Sequence, residues 1–474
     1  MKNRQTLHWL VKNSKNYIFK ISILSVSNII LALVGTGLAL VSKLAIDAAQ
    51  GASRAETTAE FVDFRNKIIV YGVLILLIVI GRFILRLYEQ SLKIRVESGM
   101  EMDMRNRLFR QILYKRIQNI SEYHSGELMN RITADTRIIT DGITTIVPNL
   151  LYFITQFAGA AVVLIIFDWK FTLLFFAVGI VLSVVALLFR SKLNDLHKQV
   201  QQTDGKVRSF FQESIESLLV VKTFGVEEAF CEKGNALQEI NYAVKMKRRV
   251  ISILANAGFS FVFNAGYFFA LIWCALKISV NAMTYGTLSA VVQLIGQVQT
   301  PFVNITKVVP QYYAILASAE RIIEIESIEP EPHGGEVLDV ERFYERLQEI
   351  RFEDIRFDYG REKVLTEGNA TLKKGDFVAI RGISGIGKST LMKMLLGVFE
   401  PSHGTIRLYQ EDGNFRVASP DTRGLFAYVP QGNYLFSGSL RENILLLNPE
   451  ATEEEIREVL QISDIYEFVK TLPQ

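Results

Sequence analysis

Six stretches of this chain run for between 14 and 29 residues without one charged side chain. The first, ISILSVSNIILALVGTGLALVS, holds 22 residues between Lys20 and Lys43. The others lie between Lys67 and Arg82 (14), Asp141 and Asp168 (26), Lys170 and Arg190 (19), Arg249 and Lys277 (27), and Lys277 and Lys307 (29). A helix needs about 20 mainly apolar residues to cross a bilayer while pairing all its own backbone groups. Six transmembrane helices are therefore expected, at approximately 21–43, 67–88, 142–167, 169–190, 250–276 and 283–307. The second reaches full length only by continuing through Phe83-Ile84-Leu85 to Arg86. Arg82 and Arg86 are accordingly expected near its end, reaching toward the headgroups.

Mean composition does not make this argument, because 49% hydrophobic and 21% charged residues also suit a soluble domain. The distribution does: the uncharged runs end near Lys307, and ordinary mixed sequence follows. A net charge of +3 gives no footing for nucleic acid. The two cysteines, Cys231 and Cys274, imply no disulfide framework.

Basic residues orient the helices. Segment 91–140 carries nine lysines and arginines and 190–249 carries eleven, whereas GASRAETTAEFVDF, between the first two spans, carries one. Positive loops stay cytoplasmic, so both long loops (91–140 and 191–249) and both termini face inward. The chain is expected to be an integral plasma-membrane protein of the bacterial inner-membrane type, with no cleavable signal peptide. Both loops carry helical patterns, ISEYHSGELMNRITADTRII and GKVRSFFQESIESLLVVKTFGVEEAF, the first kinked at His124-Ser125-Gly126. They read either as solvated faces or as hairpin tips suited to touching a cytosolic domain.

The expected fold class is multidomain: an all-α transmembrane domain over 1–324, an acidic linker with Pro330, Pro332 and Gly334-Gly335 over 325–345, and an α/β P-loop region over 346–474. RFEDIRFDYG alternates, with Ile355, Phe357 and Tyr359 on one face. Phe377–Ile380 reads as a short apolar strand. RGISGIGKST follows it and fits G-x-x-x-x-G-K-[ST] at Gly382, Gly387, Lys388 and Ser389, with the helical pattern STLMKMLLGVF directly behind. Glycines at 382, 385 and 387 let the backbone curl so that N–H groups point at phosphate oxygens, and the helix N-terminus adds partial positive charge. Lys388 would reach the β- and γ-phosphates and the Ser389 hydroxyl would ligate Mg²⁺. The loop is expected to bind a nucleoside triphosphate.

In this order of segments the chain resembles a half-transporter of the ATP-binding-cassette exporter family, along nearly its whole length. RFDYGREKVL is similar to the family's segment in which an aromatic stacks on adenine, with Tyr359 at the matching position; packing in the strand's core is the other reading of that residue. FAYVPQGNYLFSGSLRENI resembles the glutamine loop, implying that Gln431 contacts Mg²⁺ and the attacking water. SGELMNRITAD and ESIESLLVVKTFGVEE are similar to the family's two cytoplasmic coupling regions. The resemblance thus implies a nucleotide site of Tyr359, Gly382, Ser384, Gly385, Gly387, Lys388, Ser389, Thr390 and Gln431, with ATP and Mg²⁺ as cofactors and Ser389 and Gln431 on the metal. It also implies pairing with a second half-transporter, contact with membrane lipid, and an exported substrate.

The resemblance has a gap. An LSGGQ-type signature, a Walker B Asp-Glu pair, a D-loop and a switch histidine are not found in these 474 residues; ILLLNPE has an apolar run but ends in Asn448-Pro449. The expectation is a truncated chain that does not hydrolyse ATP, with no catalytic residue of its own and a cytosolic part that does not fold stably alone. Three function classes remain: an ATP-driven exporter subunit, a non-catalytic nucleotide-binding membrane protein that is inert or interferes with a partner, and a membrane-tethered kinase or GTPase, which would leave the glutamine-loop block unexplained. Lipid, drug and peptide cargo all stay open. Gln293, Gln297 and Asn304 around Pro301, and Asn256, Ser260 and Asn264, either line a pathway or bond between helices.

Overall fold

The computed structural model describes residues 2–332, 338–358, 363–383, 385–432, 434–446 and 448–472, without the side chains of 2–3, 178–194, 255, 256, 259, 302, 303, 305–307 and 363. It divides into two compact units. One holds Met1–Lys115 and Ile120–Glu329; the other holds Pro330–Gln474 together with Arg116–Asn119.

In the first unit the uncharged runs are parts of much longer helices. After α1 (Lys2–Asn13) come α2 (Ile18–Ser53) and α3 (Thr58–Leu113), then the short α4 (Ile117–Ile120), all but its last residue counted with the second unit, and α5 (Ser125–Asn130). The long helices α6 (Thr136–Phe167), α7 (Trp169–Glu216), α9 (Glu227–Ser279) and α10 (Tyr285–Ser327) follow, with α8 (Leu218–Phe224) at the tip between α7 and α9. At about 1.5 Å per residue, α3 is about 84 Å long, well over the roughly 30 Å of a hydrocarbon core. Four described stretches are long and apolar enough to cross a membrane: Lys15–Ser53, Thr58–Leu113, Ser125–Phe167 and Ser260–Ser279. Side-chain caps restart the chain after each tight connection. Thr57 accepts from the Glu60 N–H, Asp168 from Lys170 and Phe171, and Thr284 from Thr287.

Helix α2 packs along α3, α6 and α10, while α7 packs along α9. Where α6 meets α10, Gly142 is required: a Cβ there would stand 2.0 Å from Ile315 Cδ1. The main core joins Met100, Met104 and Leu108 of α3 to Ile139 of α6 and Ile315, Ala319 and Ile322 of α10. A second core gathers Ala39, Leu164, Phe171, Cys274 and Leu294.

The register of α2 against α3 is fixed along its length. Tyr17 donates to Asp103 at 2.6 Å, Leu24 and Ile21 pack on Val96, Asn28 donates to Glu89 at 3.4 Å, and Gly51 faces Phe64. Two charged levels bracket the bundle. At one, Lys93 pairs with Asp141 at 3.5 Å. At the other, Lys43 pairs with Asp47 at 2.7 Å and covers the Phe167 ring, while Trp273 donates to Asp168 at 3.1 Å. Arg82 lies about 16 Å along α3 from Lys93.

Between α5 and α6 the chain takes one π-helical turn, Arg131–Asp135. Its wider winding frees carbonyls, and the Thr133 and Thr136 hydroxyls donate to Met129 and Ile132 at 2.7 and 2.6 Å. Both charged residues of the turn are buried against α10. Asp135, 1% exposed, accepts from Ser318 at 2.9 Å and from Arg321 Nε at 2.8 Å. Arg131, 4% exposed, donates to the Arg321 carbonyl at 2.8 Å and to Glu324 at 2.9 Å, and stacks over Tyr123. Further along, Trp9 donates to Glu326 at 2.6 Å and Lys115 to its carbonyl at 2.7 Å.

In the second unit α11 (Val340–Arg346) leads into β1 (Leu347–Asp358), which pairs antiparallel with β2 (Lys363–Leu365), β3 (Ala370–Lys373) and β4 (His403–Gln410); β4 pairs with β5 (Phe415–Val417). The alternation read in β1 holds at Ile355 and Phe357, both buried; Tyr359 lies outside the described residues, as do His333–Val337 of the expected linker. Helix α12 (Lys388–Leu395) seats Met394 and Leu395 on Phe352, Ile355 and Phe357, with Phe399 stacked on Phe357. The expected strand Phe377–Ile380 is not formed: Phe377 is fully exposed and Val378 and Ile380 are half-exposed or nearly so. A strand exists only by pairing, and no described segment pairs with this one. The unit closes with α13 (Leu440–Ile444), α14 (Glu453–Ile462) and α15 (Tyr466–Lys470), the first two opened by reciprocal Ser–Glu and Thr–Glu capping boxes.

Candidate nucleotide site

The loop that the sequence singles out runs from Gly382 into α12 and is built largely by its glycines. Gly385 and Gly387 have φ of +87° and +101°, a region costly for any side chain. Gly387 is doubly constrained, because a Cβ would stand 2.5 Å from Val364 Cγ1 on β2. The residue before α12 is thus a glycine with no side chain to cap the helix, which leaves its first N–H groups open to an outside anion.

Lys388 folds back over this loop. Its ammonium donates to the carbonyls of Gly382 and Ile383 at 2.9 and 2.8 Å. A cation is therefore held inside a curl of backbone, where a polyphosphate would find both the charge and the N–H donors. Ser389 is exposed at the first turn of α12, its hydroxyl free to face a ligand, whereas Thr390 is buried in the unit. This is the arrangement a nucleoside triphosphate with its metal fits: a glycine cradle, one lysine and one open hydroxyl.

Not every residue expected at the site is brought to it. Gly382, Gly385, Gly387, Lys388, Ser389 and Thr390 form one contiguous curl, with Ser384 and Tyr359 outside the described residues. Gln431 is exposed at a bend, and among the described residues no hydrogen bond joins it to the loop. No group of three or more His, Cys, Asp or Glu that could hold a metal occurs among the described residues. Magnesium at this loop would then rest on the Ser389 hydroxyl and the phosphates.

With this geometry in place, the comparisons can be read. Residues 21–302 match the family model of the ABC transporter transmembrane region, and residues 365–473 match that of the ABC transporter itself. The chain belongs to the ABC transporter family.

Its ABC relatives include an ABC transporter ATP-binding/permease protein of Haemophilus influenzae, 26% identical over 87% of this chain and 74% of that protein. An ATP-dependent lipid A-core flippase of Shewanella frigidimarina is 26% identical over 80% of this chain and 63% of its own length. A fatty acid ABC transporter ATP-binding/permease protein of Mycobacterium tuberculosis is 27% identical over 73% and 54% respectively. The chain thus spans between 54 and 74% of the length of these three relatives.

The fusion of a transmembrane region to an ABC region matches the order read from the sequence. The buried pair Arg131 and Asp135 was missed as a structural element of the ABC transmembrane region. The only signal was their spacing, four apart within SGELMNRITAD, and a charged pair at that spacing more often lies on a solvated face. Of the amides, Gln297 bonds between helices, donating to the Gly35 carbonyl at 2.9 Å and accepting from Thr36 at 3.1 Å. Gln293, Asn304 and Asn264 bond within their own helices, and Asn256 lies outside the described side chains.

Proposed function

We propose that this chain is the membrane-and-nucleotide subunit of an ABC exporter, coupling ATP to the movement of a lipid-like substrate across the plasma membrane. In this reading six helices cross the bilayer with both termini cytoplasmic, residues 1–324 form the transmembrane domain, and 346–474 carry the nucleotide region. The observation that carries the proposal is the Lys388 ammonium held inside the glycine curl of 382–387. Lys388 would turn from the loop carbonyls to the β- and γ-phosphates, Ser389 would hold Mg²⁺, and Gln431 would approach only when a ligand draws it in. Magnesium, when bound, neutralises phosphate charge. The names of the flippase and fatty acid relatives support a lipid cargo, and pairing with a second half-transporter follows from the family's architecture.

Hydrolysis is a separate matter. Phosphoryl transfer needs a positioned water and stabilised charge, and these 474 residues contain no LSGGQ-type sequence and no Asp-Glu pair after an apolar strand. This favours a second reading for the sequence as it stands: a nucleotide-binding membrane protein without turnover. Both readings predict ATP binding, and Lys388→Ala tests that. In detergent or nanodiscs the parent chain is expected to label with a photoreactive ATP analogue in competition with ATP, and the variant to lose about tenfold or more in affinity. Equal labelling of the two would remove the site. Phosphate release by the parent chain above the Lys388→Ala background would decide for the first reading, and its absence for the second.

A further inference from the structure

Between Gln431 and α13 the backbone is held by one side chain. Asn443, half-buried in α13, accepts a hydrogen bond from the Phe436 N–H at 2.7 Å through Oδ1, and its Nδ2 donates to the carbonyls of Phe436 and Ser439 at 3.0 Å each. One amide thus takes both backbone groups of Phe436, as a neighbouring strand would. Among the described residues no other hydrogen bond engages 431, 432 or 434–437. Packing does not hold the segment either, because Tyr434, Leu435 and Phe436 are all exposed.

The clamp admits no close substitute. Its three bonds need an acceptor and a two-proton donor on one rigid plane; aspartate would set a second oxygen against two carbonyls, and alanine removes the group. Its footing is firm in turn. Ser439 and Glu442 cap α13 reciprocally, the Ser439 N–H donating to Glu442 at 2.7 Å and the Glu442 N–H to the Ser439 hydroxyl at 3.1 Å. Gly438, at φ +138°, brings the turn so close that a Cβ would stand 2.4 Å from Glu442 Oε2. Gln431 is therefore the free end of a tether of five links anchored at Phe436, with Gly432 at φ +120° as a pivot. Fully extended, such a tether spans about 17 Å. Cutting the clamp moves the anchor to Ser439 and lengthens the tether to eight links.

From this clamp we infer that Asn443 is a positioning residue for the nucleotide site, fixing the loop from which Gln431 reaches the metal side of a bound nucleotide. The inference rests on the proposed reading of Gln431 as a contact drawn in by the ligand. Gln431 is exposed and has no bond to the glycine curl, so reaching a ligand there costs backbone freedom. A short, anchored tether has lost most of that freedom beforehand. Going from five links to eight weakens the approach about twofold by closure entropy alone, and ordering residues 436–438 at the moment of binding adds to that.

The test uses the full chain in nanodiscs, with affinity for a photoreactive ATP analogue measured in Mg²⁺ and in EDTA. Mg²⁺ is expected to tighten binding to the parent, and Gln431→Ala to remove about fivefold of that gain. Asn443→Ala and Asn443→Asp should each remove the same share, and Gln431→Ala/Asn443→Ala no more than either single change. Affinity in EDTA should match the parent in every variant, because the glycine curl lies elsewhere in the chain. Ser439→Ala is the control for a loosened α13: it breaks the cap, leaves the Asn443 bonds in place and should retain the full gain. Hydrogen exchange without nucleotide should show the Phe436 amide protected in the parent and open in Asn443→Ala. The inference is overturned by a full magnesium gain in Asn443→Ala or in Gln431→Ala, by losses that add in the double variant, or by an equal loss in Ser439→Ala. A fall in EDTA as large as that in Mg²⁺ would make Asn443 a purely structural residue and overturn it too, as would an unprotected Phe436 amide in the parent. A parent that binds no nucleotide in either condition removes the proposed function itself, and the positioning role falls with it.

Discussion

At Gly387 two constraints meet that no other residue type satisfies together: a φ of +101° and a 2.5 Å approach of any Cβ to Val364. Gly387→Ala must therefore either unwind the curl or push β2 aside, and the first is cheaper because the loop is exposed whereas β2 is held by its pairing with β1. Left-handed backbone costs an L-residue about 1–2 kcal/mol. The expected outcome is a nucleotide affinity about tenfold weaker, with thermal unfolding of the chain nearly unchanged. Unaltered ATP labelling would show that the loop tolerates a side chain there and that the strain argument is wrong. The curl itself was legible in the sequence because everything that shapes it is local. Glycine positions, one lysine and one hydroxyl lie within nine residues, and a loop between elements depends little on the rest of the fold. Gln431 shows the boundary of that legibility. Its role requires a distance across the unit that spacing cannot supply, and it stands exposed without a bond to the loop.

Between helices, the polar grip on α10 argues a different lesson. Asp135 is 1% exposed and its carboxylate depends on Ser318 and Arg321, whereas the Arg321 side chain is 42% exposed and can turn to water. The bond to Asp135 raises the Arg321 pKa above its ordinary value, and the outward burial of this guanidinium opposes that only in part. Removing the arginine strands a buried charge; removing the acid does not. Arg321→Ala should therefore cost about 3 kcal/mol and Asp135→Asn about 1 kcal/mol, read as a larger fall in unfolding temperature for the arginine variant. The reverse order would mean that Asp135 does not depend on the Arg321 guanidinium. The sequence could mark both residues as charged but not as buried, since the partner helix enters 183 to 186 residues later. Asp168 makes the corresponding case for pH. Burial would push its carboxyl up, but the N–H donors of Phe171 and Lys170, the Trp273 indole and the Lys277 charge outweigh it and hold the pKa below the ordinary value. A depressed acid contributes stability above its unfolded pKa of about 4 and loses it as pH falls through the lower folded value. Trp273 emission should thus be steady from neutral pH to about 4 and shift only below that, and Asp168→Asn should remove the transition. A shift centred at or above the ordinary carboxylate range would contradict the assignment.

Taken whole, the molecule is unevenly finished. The long uncharged runs announced a transmembrane region plainly, because hydrocarbon imposes one strict rule on every residue that enters it. The second unit follows no such rule, and its sequence promised a strand at Phe377–Ile380 that the structure does not form. Strand propensity there is intact; what the segment lacks is a described neighbour to pair with. Its side chains, and Tyr428 and Val429 of a second unpaired segment, are left in the open, with Phe377 fully exposed and Val429 90% exposed. Exposed apolar surface of this kind is costly and adhesive, at about 25 cal/mol for each Å² that could be buried. The unit's stability must then rest on the antiparallel β1–β4 ladder and the core under α12. Hydrogen exchange on the full chain should divide the unit accordingly. Amides of Ile350–Phe352 and Ile406–Leu408, paired in that ladder, should be protected by at least about a hundredfold over those of 377–383 and 427–429, since the latter need no opening to exchange. Residues 330–474 expressed alone should bind a hydrophobic dye and unfold with low cooperativity. Protection of 377–383 equal to that of β4, with a sharp monomeric unfolding transition of the isolated unit, would mean that this segment is a paired strand and that the apolar side chains are covered in solution.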